Sequence, residues 1–210
     1  LTGLDLSAPR KAGEAPAHVD IPRLRQGDVG AFFSVAYVSS KIEGPPAATA
    51  MLAQIDVTKR LVQRYPQHLA LATTADEIES VNRSGRIAVV VAVEGGHTIA
   101  NSLAVLRTAY ECGARYLTLT HWRATDWADA ATSPPRHGGL TAFGREVLRE
   151  MNRLGMMIDL SHVSDAVMRF RMAQRKRASV VCCGINRLLR WSPKMVFRRN
   201  IPVSARLRRW

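Results

Sequence analysis

Three ionisable residues each follow directly on an apolar run: Glu94 after IAVVVAV, His121 after YLTLT and His162 after MIDLS. One carboxylate and two imidazoles are donor types that suit zinc. A carboxylate can also bridge two metal ions, a pairing that activates water and clamps a reacting carbonyl. The chemistry implied is metal-assisted hydrolysis. Gly95 and Gly96, next after Glu94, let backbone or substrate come close without a Cβ clash. His97 reads as a residue at a helix start, supporting the site rather than binding metal. Asp159 reads as a support for His162. Asp126 and Asp129, in the polar stretch after His121, read as solvated loop carboxylates. His18-Val19-Asp20 has the HxD spacing of a metal pair, but the residues before it, KAGEAPA, form no strand. That pair is therefore assigned to a loop and not to the metal.

A lone Glu or His after a strand is an ordinary loop residue. The three matter together only if the scaffold brings their strand ends to one face. The pattern predicts strands at 31–39, 69–73, 87–93, 116–120, 156–160 and 179–183. It predicts helices at 47–65, 75–83, 102–112, 141–154 and 164–174, and a loop over the first 27 residues. Thr74 followed by Glu77 is a capping box for the second of these helices. Ile87–Val93 is a continuous branched run, as expected of a strand buried on both faces. Strand–helix alternation implies an α/β fold with a parallel sheet and right-handed crossovers. Alternation alone does not separate a barrel from an open sheet. In either, the C-terminal strand ends form one face where sites assemble.

The net charge of +13 is unevenly placed. Residues 1–165 hold 17 Lys/Arg and 17 Asp/Glu, whereas residues 166–210 hold 13 Lys/Arg and no acid. The basic character thus belongs to the C-terminal segment. That segment reads as a nucleic-acid or anionic-surface binder, a solvated extension, or a frame-shifted version of an ordinary sequence. It contains no known nucleic-acid motif, and no nucleic-acid partner is expected. No apolar run approaches the ~18 residues of a membrane span, so no transmembrane segment is expected. The chain starts at Leu1 without a signal-peptide core, and the native start is expected to precede it. Cys112, Cys182 and Cys183 form no disulfide or CxxC framework and read as buried thiols.

The stretches HVDIPRLRQGDVGAFFSVAY, VEGGHTIANSLAVLRTAYECGARYLTLTH, WAD and GLTAFGREVLREMNRLGMMIDLSHVS resemble the membrane (renal) dipeptidase family of zinc metallopeptidases, with RRNIP a weaker match. The resemblance runs from about His18 to Met168. It implies a TIM-like (β/α) barrel, here partial, that hydrolyses dipeptides with two zinc ions. Glu94 then matches the carboxylate bridging the two ions, and His162 a zinc ligand. His121 matches the histidine that contacts substrate and polarises the scissile carbonyl. Arg199 matches an arginine that pairs with the substrate carboxylate. A homodimer is the partner state the resemblance suggests. The expected organisation is a partial barrel domain over residues 1–168 and a basic, poorly matched segment over 169–210. The sequence also departs from the family. The family's first HxD pair would precede Leu1, its later acidic residue would follow Trp210, and Gly184 stands near the place of its second late histidine. A catalytically inactive fragment of the family is the alternative reading.

Overall fold

The computed structural model describes residues 5–8, 19–173, 180–181 and 196–198. His18, Cys182, Cys183, Gly184 and Arg199 lie outside the described residues. Two compact units are distinguished, and β1 (Val29–Tyr37), α2 (Gly44–Arg64) and β3 (Ile87–Glu94) each run through both.

The first unit includes residues 19–33 and 57–90. It opens with α1 (Ile21–Gln26), where the sequence suggested loop. Asp20 caps this helix by accepting the Arg23 N–H at 2.8 Å, and Pro22 fits the first turn, where no N–H is needed. Six residues are too few to show an apolar period, so only the cap and the proline announced the helix. Here β2 (Leu69–Leu71) runs parallel to β3, with Leu69 opposite Ile87. The short β7 (Val196–Arg198) runs antiparallel to β1. Between β2 and β3, α3 (Ala75–Arg83) is capped by Thr74, whose Oγ accepts the Glu77 N–H at 3.2 Å. Glu77 reaches back one residue further than the standard box and accepts the Thr73 N–H at 2.6 Å. Ile21, Val29, Val62, Tyr65, Leu69, Ile87 and Val89 form this unit's core.

The second unit includes residues 34–56 and 91–173. Its strands β4 (Ala114–Thr118), β5 (Met157–Asp159) and β6 (Val180–Val181) extend the parallel sheet from β3 in that order. The helices α4 (Leu103–Glu111), α5 (Ala142–Leu154) and α6 (Asp165–Ala173) alternate with them. Ser102 and Thr141 cap the first two with their hydroxyls. Gly155 ends α5 in the left-handed conformation (φ 77°) that glycine adopts freely. Met51, Ile55, Leu106, Leu117, Leu119, Trp127, Leu148, Met151 and Ile158 are almost wholly buried in its core. Burying each such side chain contributes roughly 1.5–3 kcal/mol. Cys112 is half-buried with a free thiol. Among the described residues no helix is long and apolar enough to cross a membrane.

Candidate metal centre

The ladder of the second unit lines up a row of polar residues where its strands end. Glu94 on β3 faces Thr118 on β4, and Thr118 faces Asp159 on β5. The Thr118 hydroxyl donates to Asp159 Oδ2 at 2.6 Å. Asp159 Oδ1 accepts the Ser161 N–H at 2.9 Å and the Ser161 hydroxyl at 2.6 Å. Asp159 is therefore buried and saturated, and it fixes the turn that leads to His162. The sequence placed both histidines directly at strand ends. In the structure each lies three residues past its strand, His121 after Thr118 and His162 after Asp159. Past the strand ends the pairing thins to single bonds, the Leu119 N–H to the Asp159 carbonyl at 3.4 Å and the Gly95 N–H to the Thr118 carbonyl at 3.3 Å.

His162 adopts a left-handed backbone (φ 66°), a conformation a non-glycine residue holds only when its surroundings enforce it. Two bonds to its carbonyl do so: the Thr120 hydroxyl at 2.9 Å and the Ala131 N–H at 2.8 Å. The second bond comes from the long segment after β4, whose anchor is Asp129. Reading Asp129 as a solvated loop carboxylate is corrected here. It is fully buried and accepts backbone N–H groups from Arg136, His137 and Gly139 at 2.8–3.2 Å. Burial pushes its carboxyl up, but those three donors together outweigh burial and hold it below the usual carboxylate range. Asp126, three residues earlier, is exposed as expected.

Glu94, His121 and His162 converge. Glu94 Oε1 lies 3.6 Å from His121 Nε2 and 3.4 Å from His162 Nε2, and one donor atom from each residue falls within 4.8 Å of the others. These separations are long for hydrogen bonds. They suit the edges of a tetrahedron around an ion with ligand bonds of about 2.0–2.2 Å. The donor set therefore fits a metal ion that takes nitrogen and oxygen ligands, as zinc does. Burial, opposed by Glu94 and reinforced by His162, pushes the His121 imidazole below its ordinary value. His121 stands as near the carboxylate as His162 does, a placement the sequence did not distinguish from substrate contact.

Other residues frame this centre. Tyr37 packs on His121 at 5.0 Å between ring centroids, and Trp122 on its edge at 5.2 Å. Neither aromatic was singled out from sequence, and their types alone gave no signal. His97 lies in the 3-10 turn Gly96–Ile99. Burial lowers its imidazole, although bonding to the Ser39 backbone opposes this.

A carboxylate and two imidazoles gathered at the strand ends of an α/β scaffold define a candidate metal centre. The family follows from the sequence match: residues 4–182 fit the model for membrane dipeptidase, peptidase family M19, and the chain belongs to that family. Dipeptidase 3 of Mus musculus is 46% identical over 155 residues, covering 71% of this chain and 31% of that protein. Dipeptidase verJ of Clonostachys rogersoniana is 43% identical over 171 residues, covering 76% of this chain and 44% of that protein. The crystal structure of dipeptidase AC, a metallopeptidase of family M19, superposes with a TM-score of 0.68 at 26% identity, over 76% of this chain and 51% of the other. A metallopeptidase from Rhodobacter sphaeroides, solved with a phosphinate mimic of the dipeptide L-Ala-D-Ala, shares the fold with a TM-score of 0.72 at 24% identity, over 82% of this chain and 57% of the other. The chain thus spans less than half the length of these curated relatives. The expected family and the α/β, TIM-like fold class both hold.

Proposed function

We propose that the chain serves zinc-dependent hydrolysis of the peptide bond of dipeptides, with Glu94 and His162 as metal ligands and His121 as the catalytic, substrate-contacting residue. The observation that supports this reading is the approach of two imidazole nitrogens to one carboxylate oxygen at 3.4 and 3.6 Å, on a chain of a metallopeptidase family. Zinc, when bound, supplies Lewis-acid activation of water and of the scissile carbonyl. The chain's own residues do the rest. Glu94 contributes the negative charge that offsets the ion, and its position follows from the last residue of β3. His162 is locked through its carbonyl, which fixes the backbone from which its ring projects. His121, kept neutral by its surroundings, can donate an N–H to the oxygen that gains charge as the carbonyl is attacked. Arg199 is proposed to pair with the substrate's free carboxylate. The family resemblance implies two ions, which Glu94 and His162 would help to hold.

The test is a zinc titration by calorimetry paired with a dipeptide hydrolysis assay. Glu94→Gln and His162→Ala should abolish tight zinc binding, whereas His121→Asn should retain it and lower kcat at least 100-fold. The placement of His121 also favours a second reading, a single ion held by all three residues. If His121→Ala loses zinc as completely as His162→Ala, and one ion binds per chain, that reading replaces the first. Absence of both zinc binding and turnover in the unmodified chain would overturn either.

A further inference from the structure

Trp122 is exposed beside the metal centre. It is 58% exposed, whereas Trp127, five residues on in the same segment, is 1% exposed in the core. The indole stands edge-on to His121 at 5.2 Å and an interplanar angle of 84°, and lies 5.9 Å from the His162 ring. Its backbone is held: the Trp122 carbonyl accepts the Thr132 hydroxyl at 2.9 Å, and the Ala124 N–H donates to Ser133 Oγ at 3.1 Å. The exposure is therefore that of a ring carried on an anchored backbone. A second exposed aromatic, Tyr37 at 42%, packs against the same His121 ring at 5.0 Å. Val35 shares the Tyr37 face of β1 by strand alternation and is also exposed.

From this we infer that Trp122, with Tyr37, walls a subsite for an apolar side chain of the dipeptide and determines which dipeptides are preferred. The inference rests on the proposed dipeptidase reading. Distance identifies the occupant. A substrate carbonyl held at the imidazoles carries its nearest side chain only a few bonds away, about 4–6 Å off by ordinary bond lengths. A ring 5–6 Å from both imidazoles is what that side chain meets. An indole presents a large apolar area and prefers offset or edge-on contact with another ring. The favoured substrates are thus dipeptides with a Phe, Leu or comparable residue, over Gly-Gly.

The experiment uses the full zinc-loaded chain and compares kcat/KM for Gly-Gly, Phe-Gly, Leu-Gly, Gly-Phe and Gly-Leu in the unmodified protein, Trp122→Ala and Trp122→Phe. Calorimetric binding of phosphinate analogues of the same dipeptides gives a second readout that needs no turnover. The two substrate series reveal which residue of the dipeptide faces the indole. The expected result is a preference of at least 10-fold for the large side chain, collapsing toward unity in Trp122→Ala and largely restored in Trp122→Phe. A preference that survives in Trp122→Ala overturns the inference. A uniform fall for all substrates, with their ratios intact, overturns it too, because it marks a merely structural ring. Binding with selectivity but no hydrolysis would sink the hydrolytic function and leave this subsite standing. Hydrolysis without selectivity would do the reverse, and neither binding nor hydrolysis would sink both.

Discussion

Residues 95–102, which follow β3, and residues 119–141, which follow β4, both serve the metal centre, but they are held by different means. The first segment is short and stiff through its backbone. Gly95 sits at φ 110°, and Ala100 and Asn101 are left-handed at φ 49° and 54°. Gly96 has no room for a Cβ, because the Leu119 carbonyl and the Trp127 ring already fill the space. The second segment is long and has few such constraints. It is tied by one buried carboxylate, Asp129, and its carbonyl and amide edges pair with residues 163 and 140 in isolated bridges. A short loop can be fixed by exclusion, whereas a long one needs an internal hub that satisfies its backbone.

The largest effect should come from Gly96→Ala, which attacks the first segment at its tightest point. The added methyl would meet the Leu119 carbonyl and Trp127 Cζ2, neither of which is a flexible chain end. Relief requires moving β4's exit or a core tryptophan, so a loss of about 4 kcal/mol is expected. Urea denaturation measures it, and a loss below about 1 kcal/mol would show that exclusion is not what fixes this segment.

Asp129→Ala tests the hub. It removes the acceptor of three backbone N–H groups, of which that of Gly139 is buried, and a loss of about 3 kcal/mol is expected. The acid limb gives the sign independently. The folded carboxyl lies below its ordinary value, so its contribution is complete above about pH 4 and is lost as pH falls through the lowered value. Asp129→Asn should remove that acid dependence while retaining part of the bonding. A stability–pH profile that is unchanged in Asp129→Asn would mean that the carboxylate is not the tie.

A more local break is Thr120→Val, an isosteric change at a fully buried position. His162 then keeps the Ala131 N–H but loses the hydroxyl on its carbonyl. Stability should fall by about 1 kcal/mol, and zinc affinity by about 10-fold, as for other residues that orient a ligand from behind. Equal zinc affinity in the two proteins would show that the Ala131 bond suffices to hold the ring.

What the sequence made legible follows the same division. The convergence of Glu94, His121 and His162 could be read because each follows an apolar strand, and parallel strands end on one face. The bounds of α3 could be read to the residue, because Thr74 and Glu77 mark its start and Gly85 its end. The hub could not be read. Asp126 and Asp129 sit in one short stretch, TDWAD, and differ only in what folds over them. Nor could the bond from Thr120 to His162, 42 residues apart, be seen in either neighbourhood. The exposure of Trp122 against the burial of Trp127 is likewise set by packing and not by residue type.

The smallest effect should come from Asp126→Asn, and it sharpens the contrast by touching the two segments together. Asp126 Oδ2 accepts the Asn101 side-chain N–H at 2.9 Å, so it links the segment after β3 to the segment after β4. Its ion pair with Arg136 is long, 3.8 Å, and the Asp126 side chain is 68% exposed. Asparagine keeps an oxygen for Asn101 and gives up only the charge. Water screens that charge already, so a change under about 0.5 kcal/mol is expected, shrinking further in salt. A loss comparable to that of Asp129→Ala would mean that the two segments are stabilised mainly by each other. If the loss is small, each keeps its own anchor: excluded volume at Gly96 in one, and the buried carboxylate of Asp129 in the other.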